Sequence, residues 1–322
     1  MLWLDLFQVL LFTPTRNREC AETALGLKHS NIPRSLYKYQ PMKPRVLDNL
    51  RKDQMFLRSP ETFNDRFDSS LVVTKLLLDA VVKERLRSSL EEWGLGGTVT
   101  DTDAEEIVKA PNPAARLDEV VALRTGTAEG EVARKAHTWM QTVVQRAVQD
   151  HTRIFSELQR RGMKVTCFSE ELRSPLLWGL YADNNRGFCA EYCFADLPNW
   201  DPRTRMLFPV IYRPTLFDAT AYFDAQISDG QNWNRFFPII AAIHKLPCWA
   251  YEREWRLVLS EGEGPDVTLP APPLTAIYLG SNMKEKHQRR LRVLAEVKKI
   301  PVRKMVPSHT TGTLEPMPVW QP

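Results

Sequence analysis

The sequence contains no Cys-x-x-Cys pair, no His-Glu-x-x-His, no Gly-x-Ser-x-Gly and no glycine-rich loop followed by Lys-Ser/Thr. These absences exclude the zinc knuckle, the zinc-protease helix, the hydrolase nucleophile elbow and the P-loop. Gly94-Leu95-Gly96-Gly97 has no strand before it and reads as linker. The five cysteines, Cys20, Cys167, Cys189, Cys193 and Cys248, are odd in number and several sit in apolar runs. That usage suits buried thiols in a reducing compartment, and no metal is assigned to them.

Charge of one sign is also scarce. A net charge of +4 does not by itself argue for nucleic acid, and the basic cluster from Arg289 to Lys304 reads as a solvated helix face. The apolar start, Met1 to Phe12, is too short to span a bilayer, is interrupted by Asp5 and lacks the basic region and cleavage site of a signal peptide. It reads as a poorly packed leader or an over-extended start. A cytoplasmic protein with no membrane partner is expected.

What is present is an ordinary globular composition, 43% hydrophobic and 25% charged over 322 residues, enough for a substantial core. Residues 1–34 read as a poorly ordered leader and 307–322 as a flexible tail. Strand and turn signals fill 35–69 and 163–306, whereas 70–162 is helical in period. In that stretch Leu71 to Trp93 reads as one helix, and a long helix from about Glu131 places Val132, Ala136, Trp139, Val143, Ala147, Ile154 and Leu158 on one stripe. Residues 215–246 also look helical. The expected class is α+β, a mixed or split sheet flanked by helices and carrying a helical insertion.

The run Tyr251-Glu252-Arg253-Glu254-Trp255-Arg256-Leu257-Val258-Leu259 carries the most chemistry. As a strand it would place Glu252, Glu254 and Arg256 on one face. Paired carboxylates among aromatics raise the pKa of one member or demand a cation or hydroxyl as partner. Four further segments set polar residues inside apolar strands: Leu36 to Tyr39, Ser59 to Asp68, Cys167 to Glu170, and Leu177 to Asp183 with Gly187-Phe188. Asn64-Asp65 is a natural Asx turn, and Ser174-Pro175 a helix start.

In this order the five segments resemble the bacterial family known as domain of unknown function 2971. The chain departs from it mildly, at Arg66, where that family usually has proline, and at Leu177, where methionine is common. The order also looks like the split sheet of ADP-ribosyltransferases. That likeness implies NAD as substrate, with Tyr37, Lys38 or Tyr39 at the position where those enzymes carry Arg or His. It implies Ser169 at the second position, and Glu252 and Glu254 at the third. Cleaving the glycosidic bond of NAD builds positive charge on the ribose, which a carboxylate stabilises. On this resemblance Glu254 acts on the ribose and Glu252 deprotonates an acceptor, protein or nucleic acid. Trp178, Tyr181 and Tyr39 would stack on nicotinamide or adenine, and Asn64 and Asp65 would complete a nucleotide pocket.

Two other readings fit the same residues. One is a metal-dependent nuclease or phosphodiesterase with Asp65, Asp68, Glu252 and Glu254 on magnesium and Lys38 or Arg256 on phosphate. The other is a non-catalytic sensing or interaction module in which Glu252 pairs with Arg186 or Arg256 and the aromatics are core.

Overall fold

Strands in this chain begin where β-branched and aromatic residues alternate, and the longest of them meet in one mixed sheet. The computed structural model describes residues 2–73, 78–94, 97–126, 131–228 and 231–321. Leu95 and Gly96 of the expected linker, residues 229 and 230, and the side chains of Val132, Ala136 and Ala147 lie outside the described residues.

The N-terminal part supplies α1 (Trp3–Leu11), α2 (Arg18–Ser30), β1 (Leu36–Gln40), α3 (Pro44–Arg51) and β2 (Gln54–Leu57). A largely helical stretch follows: β3 (Leu71–Val72), α4 (Leu78–Glu92), α5 (Asp101–Lys109), α6 (Pro113–Thr125) and α7 (Glu131–Gly162). Next come β4 (Met163–Ser169), α8 (Pro175–Tyr181), β5 (Phe188–Tyr192), α9 (Pro202–Arg205), β6 (Leu207–Pro209), β7 (Ile211–Tyr212) and β8 (Phe217–Asp218). The chain continues through α10 (Thr220–Ser228), α11 (Phe237–Ala242), β9 (His244–Lys245), β10 (Glu254–Ser260), β11 (Val267–Pro270) and β12 (Leu274–Leu279). It ends with α12 (Glu285–Lys298), β13 (Val302–Pro307) and β14 (Leu314–Trp320). No helix among the described residues is long and apolar enough to cross a membrane.

The chain divides into two units, residues 1–70, 158–217 and 232–322, and residues 71–157 with 218–231. The second unit is the expected helical excursion, joined by the α10 segment. Its core is Leu86, Ile107, Leu117, Val121 and Met140. Thr100 and Asp103 close a reciprocal capping box on α5, and Asn112 caps α6 ahead of Pro113. Leu71 does not open a helix as its period suggests, since Leu71–Val72 is extended. Ile154 and Leu158 of the expected stripe are exposed.

The first unit holds an eight-stranded sheet in the order β14-β13-β12-β5-β1-β4-β10-β6. β12 and β13 run parallel and the other neighbours antiparallel. The α+β class with a mixed sheet is thus the architecture. One face buries Leu36, Phe168, Tyr192, Trp255, Leu257 and Ile277, together with Leu291 and Ala295 of α12. On the other, Met163, Val165, Phe208 and Val258 pack with Phe7, Leu11 and Ala24, and Cys189, Ala276, Tyr278 and Met305 pack with Trp178.

Residues 3–30 therefore differ from a loose leader: they form two helices with Phe7, Leu11, Ala24 and the Lys28 stem buried. The C-terminal residues differ from a flexible tail, because β14 pairs along β13. The stretch expected to be helical over 215–246 holds α10 and α11 but also the short strands β8 and β9.

One pairing matters for everything that follows. β4 runs beside β10 for seven positions, Glu254↔Ser169 to Ser260↔Met163, but meets β1 only at Tyr37↔Ser169. Beyond that point Val165 exchanges both backbone hydrogen bonds with Arg58 instead (3.1 and 2.9 Å). The sheet splits between β1 and β4.

The turn after α8 sets the approach of β5 to β1. Asp183, Asn184 and Asn185 all adopt left-handed φ (50°, 52° and 64°), a conformation these residue types tolerate best after glycine. A Cβ on Gly187 would lie 2.2 Å from the Gln40 carbonyl oxygen, so β5 can approach β1 there only with glycine. Gly187→Ala should cost about 1–3 kcal/mol by forcing those backbones apart. Gly264→Ala, with no atom within 4 Å of the new Cβ, serves as the control. Equal denaturant midpoints for the two variants would contradict this packing account.

Candidate active site

β10 sets the site by its side-chain period. Trp255 and Leu257 enter the core, so Glu254 and Arg256 project from the opposite face. Arg256 is fully buried. Its Nη1 and Nη2 donate to Asp68 Oδ1 and Oδ2 (2.7 and 2.6 Å), and its Nε and Nη2 donate to Glu254 Oε1 and Oε2 (2.9 Å each). Nη1 also donates to the Ala242 carbonyl (2.7 Å). Two carboxylates and one carbonyl thus surround a single guanidinium.

Lys245 of β9 is the second buried cation. Its Nζ donates to Glu252 Oε2 and to Glu254 Oε2, the latter at 3.0 Å, and lies 3.8 Å from Asp68 Oδ2. Burial alone would pull this lysine down, but Glu254, Glu252 and Asp68 hold it above its ordinary value.

The Glu-x-Glu run is not one strand. Glu252 ends a 3-10 turn (Pro247–Glu252), Arg253 is left-handed with φ 45°, and β10 starts at Glu254. The expectation that Glu252 and Glu254 share a strand face is corrected by that kink. Both still reach Lys245, because the kink replaces the strand alternation.

Their environments separate the two acids. Burial opposes the charge on Glu254, but Arg256 and Lys245 overcome it and keep its pKa well below the usual carboxylate range. Glu252 moves the other way: burial first, then the Glu254 charge, raise its pKa against the pull of Lys245 and Tyr181. Tyr181 OH donates to Glu252 Oε1 (2.6 Å), and burial together with Glu252 raises the phenol. Ser169 Oγ donates to the Glu252 backbone carbonyl (2.5 Å) and accepts from Glu171 N–H (2.9 Å). It positions Glu252 and is not poised as a nucleophile.

The split between β1 and β4 opens a cavity of about 480 Å³ onto this network. Tyr37, Lys38, Tyr39, Asn64, Ser169, Tyr181, Glu252 and Glu254 all line it, as do Asp68, Lys245 and Arg256. Lys38 projects to the face opposite Tyr37 and Tyr39 and donates to Thr166 Oγ1 and the Cys167 carbonyl (3.1 Å), bridging the gap where the ladder is lost. Burial pulls its pKa down to about 8. Tyr39 OH donates to the Glu171 carbonyl (2.5 Å), and burial and then Glu191 push Tyr37 up to about 12.

Two expected residues are not in the lining. Trp178 is a core aromatic, fully buried, with Nε1 on the Leu172 carbonyl (2.7 Å) and Tyr39 edge-on at 5.2 Å. Asp65 forms the Asx turn, accepting from Phe67 N–H (2.9 Å), and its neighbour Asn64 faces the cavity instead.

Sequence reasoning gave Asp68 a role only as a metal ligand and assigned none to Lys245, Lys43, Arg45 or Arg58. Lys43, Arg45 and Arg58 join Lys38 along the cavity, and none of the four has a carboxylate within 4.0 Å among the described residues. Arg45 lies over Phe56 (3.5 Å) and Arg58 over Phe63 (5.2 Å). The spacing Lys245-x₆-Glu252-x-Glu254 was the available signal for Lys245.

Among the described residues no group of three or more His, Cys, Asp or Glu is arranged to hold a metal ion. Glu252 does not meet Arg186 or Arg256: Arg186 bonds Asp183. No family model matches the chain, and no curated protein or solved structure does either.

The two glutamates should answer substitution differently. Glu254→Gln leaves Arg256 short of a charge and should cost about 3–5 kcal/mol at neutral pH. Glu252→Gln should change stability little there, since Lys245 keeps Glu254. The folded-state pKa of Glu252 is raised, so its contribution is fully present below the unfolded carboxylate value and is lost as pH rises through the folded one. The wild type should therefore lose stability relative to Glu252→Gln across that rise. Urea melts from pH 4 to 8 measure this, and parallel curves would remove the assignment.

Proposed function

We propose that the cleft binds a nicotinamide dinucleotide and cleaves its glycosidic bond, with Glu252 as the carboxylate that faces the substrate. The observation that carries this reading is the placement of a raised-pKa glutamate and its tyrosine partner on the floor of a cavity opened by splayed strands, under a rim of unpaired cations.

The two ends of the cavity suit two parts of such a ligand. The exposed Lys43, Arg45 and Arg58 match a pyrophosphate, and the guanidinium fork suits phosphate oxygens. On the floor, three carboxylates face two cations: Asp68, Glu252 and Glu254 against Lys245 and Arg256. One negative charge is in excess when all five are ionised. In a dry site that excess favours positive charge growing on the ribose.

In this reading the bond from ribose C1′ to the ring nitrogen breaks, and its electron pair leaves on neutral nicotinamide. Water or an acceptor bonds to C1′, and the acceptor proton passes to Glu252, whose basicity is raised by burial and by the Glu254 charge. Glu254 falls to a positioning role, since cations hold both its oxygens, whereas Glu252 Oε1 has the neutral Tyr181 hydroxyl as its partner. The ordered motifs that resemble domain of unknown function 2971, and the split-sheet order of ADP-ribosyltransferases, support the same site.

The closed network around Arg256 favours a second reading, a sensing module that binds a nucleotide without turnover. Incubation with NAD, following both melting temperature and nicotinamide release, separates the two. Turnover that falls about 10²–10⁴-fold in Glu252→Gln, with the melting temperature retained, supports catalysis. A thermal shift without nicotinamide release supports sensing, and neither effect would remove NAD as the ligand.

A further inference from the structure

Arg290, one residue of the basic cluster read from sequence as a solvated face, lines a groove. α3 and α12 flank a groove of about 330 Å³ lined by Leu47, Asp48 and Arg51 from one helix and His287 and Arg290 from the other, with Met42 at its end. Arg51 and Arg290 line the groove, and the same two helices carry further exposed cations at their starts: Lys43 and Arg45 on α3, and Lys284 and Lys286 on α12. None of these six has a carboxylate within 4.0 Å among the described residues.

The nearby acids do not offset them. Asp48 is taken by Lys52 (2.8 Å), and Glu285 by Arg289. The sign of the local potential shows on His287, which is pushed below its ordinary value by slight burial first and then by Lys286, Arg290 and Lys284.

The groove and the cleft lie against opposite faces of α3. α3 is the shared wall: Lys43 and Arg45 line the cleft, and Asp48 and Arg51 line the groove. Lys43 to Arg51 spans about 12 Å of helix, and the exposed Lys43 stands at its N-terminal end, where a bound strand would cross from the groove face to the cleft face.

We propose that this groove binds the phosphate backbone of a single-stranded nucleic acid and leads it to the cleft. The choice of a nucleic acid over an acidic peptide rests on the arginines. Arg45, Arg51 and Arg290 present unpaired planar forks that match phosphate oxygens, and no open strand edge borders the groove among the elements that line it. The choice of a single strand rests on depth. Glu252 is buried beneath the rim, where an atom held inside a duplex cannot arrive. On the reading of the cleft given above, that strand is the acceptor: its nucleophilic nitrogen or oxygen bonds to C1′ as nicotinamide leaves, and its proton passes to Glu252.

Fluorescence anisotropy with a labelled, mixed-sequence single-stranded DNA tests the surface on the full chain. Six phosphate contacts predict a slope of log affinity on log salt of about −4. The double variant Arg51→Glu with Arg290→Glu should bind at least about tenfold more weakly and with a shallower slope, while its NAD-induced melting shift stays as in the wild type. Both side chains are exposed, so the fold should persist; if melting shows otherwise, Arg51→Gln with Arg290→Gln is used in its place.

Salt-independent binding, unchanged affinity in the variant, or equal competition by polyglutamate would each overturn the proposal, the last in favour of an acidic protein partner. Retained DNA binding without any NAD effect would leave this surface standing and remove the reading of the cleft.

Discussion

A guanidinium without access to water must be surrounded by acceptors, and the fold around Arg256 is arranged to supply them. Asp68 comes from the turn after β2, Glu254 from the start of β10, and the Ala242 carbonyl from the end of α11. These segments are far apart in sequence, so one side chain fixes three chain positions at once. A buried ion pair adds little net stability compared with an apolar core, but removing one partner is expensive. The network therefore specifies an arrangement more than it strengthens one. Lys245 extends it to Glu252, which makes the position of the cleft's most chemically apt carboxylate a consequence of where Arg256 is satisfied.

The split in the sheet follows from the same economy of hydrogen bonds. Where β1 departs from β4, ladder groups on β4 lose their partners, and buried backbone groups without partners are costly. Two replacements appear. Arg58 bridges Val165 through the backbone, and the Lys38 ammonium takes the Cys167 carbonyl together with the Thr166 hydroxyl. The cleft can stay open because its strand edges are satisfied from within. Burial that lowers the pKa of Lys38 to about 8 follows from that position in the gap.

Much of the framework was legible from local pattern. β4, β5, β10 and β12 alternate or run apolar as strands do, Ser174 caps α8 ahead of Pro175, and Asp65 makes its Asx turn. What escaped was decided by distant contacts or by single backbone torsions. The left-handed Arg253 takes Glu252 off the strand, and nothing in Tyr251-Glu252-Arg253-Glu254 announces it. β14 contains Pro316 and Pro318, which argue against a strand until its place at the sheet edge is known, where proline is tolerated. α1 and α2 looked loose because their apolar residues acquire a purpose only against Phe208 and Val258. Trp178 was read as a stacking residue because sequence cannot tell a ligand-facing aromatic from one whose indole N–H is already bonded.

The charges of the cleft are segregated, and the segregation has a consequence. Cations without carboxylate partners stand at the mouth, while the floor holds more carboxylate than cation. A ligand with an anionic segment and a centre that becomes positive during reaction can align with both regions in only one direction. On the proposed reading of the cleft, the rim would contribute to binding in the ground state and the floor more as positive charge develops, the difference on which rate depends. An adventitious salt-bridge rung would have no reason to keep the two signs apart. Arg256 is held by Glu254 and Asp68, and Lys245 by Glu254 and Glu252, so the carboxylate that also has a neutral hydroxyl partner on the cavity lining is Glu252, through Tyr181. That pair meets the cavity where the strands part, so the chemistry of the site and the topology of the sheet share one origin.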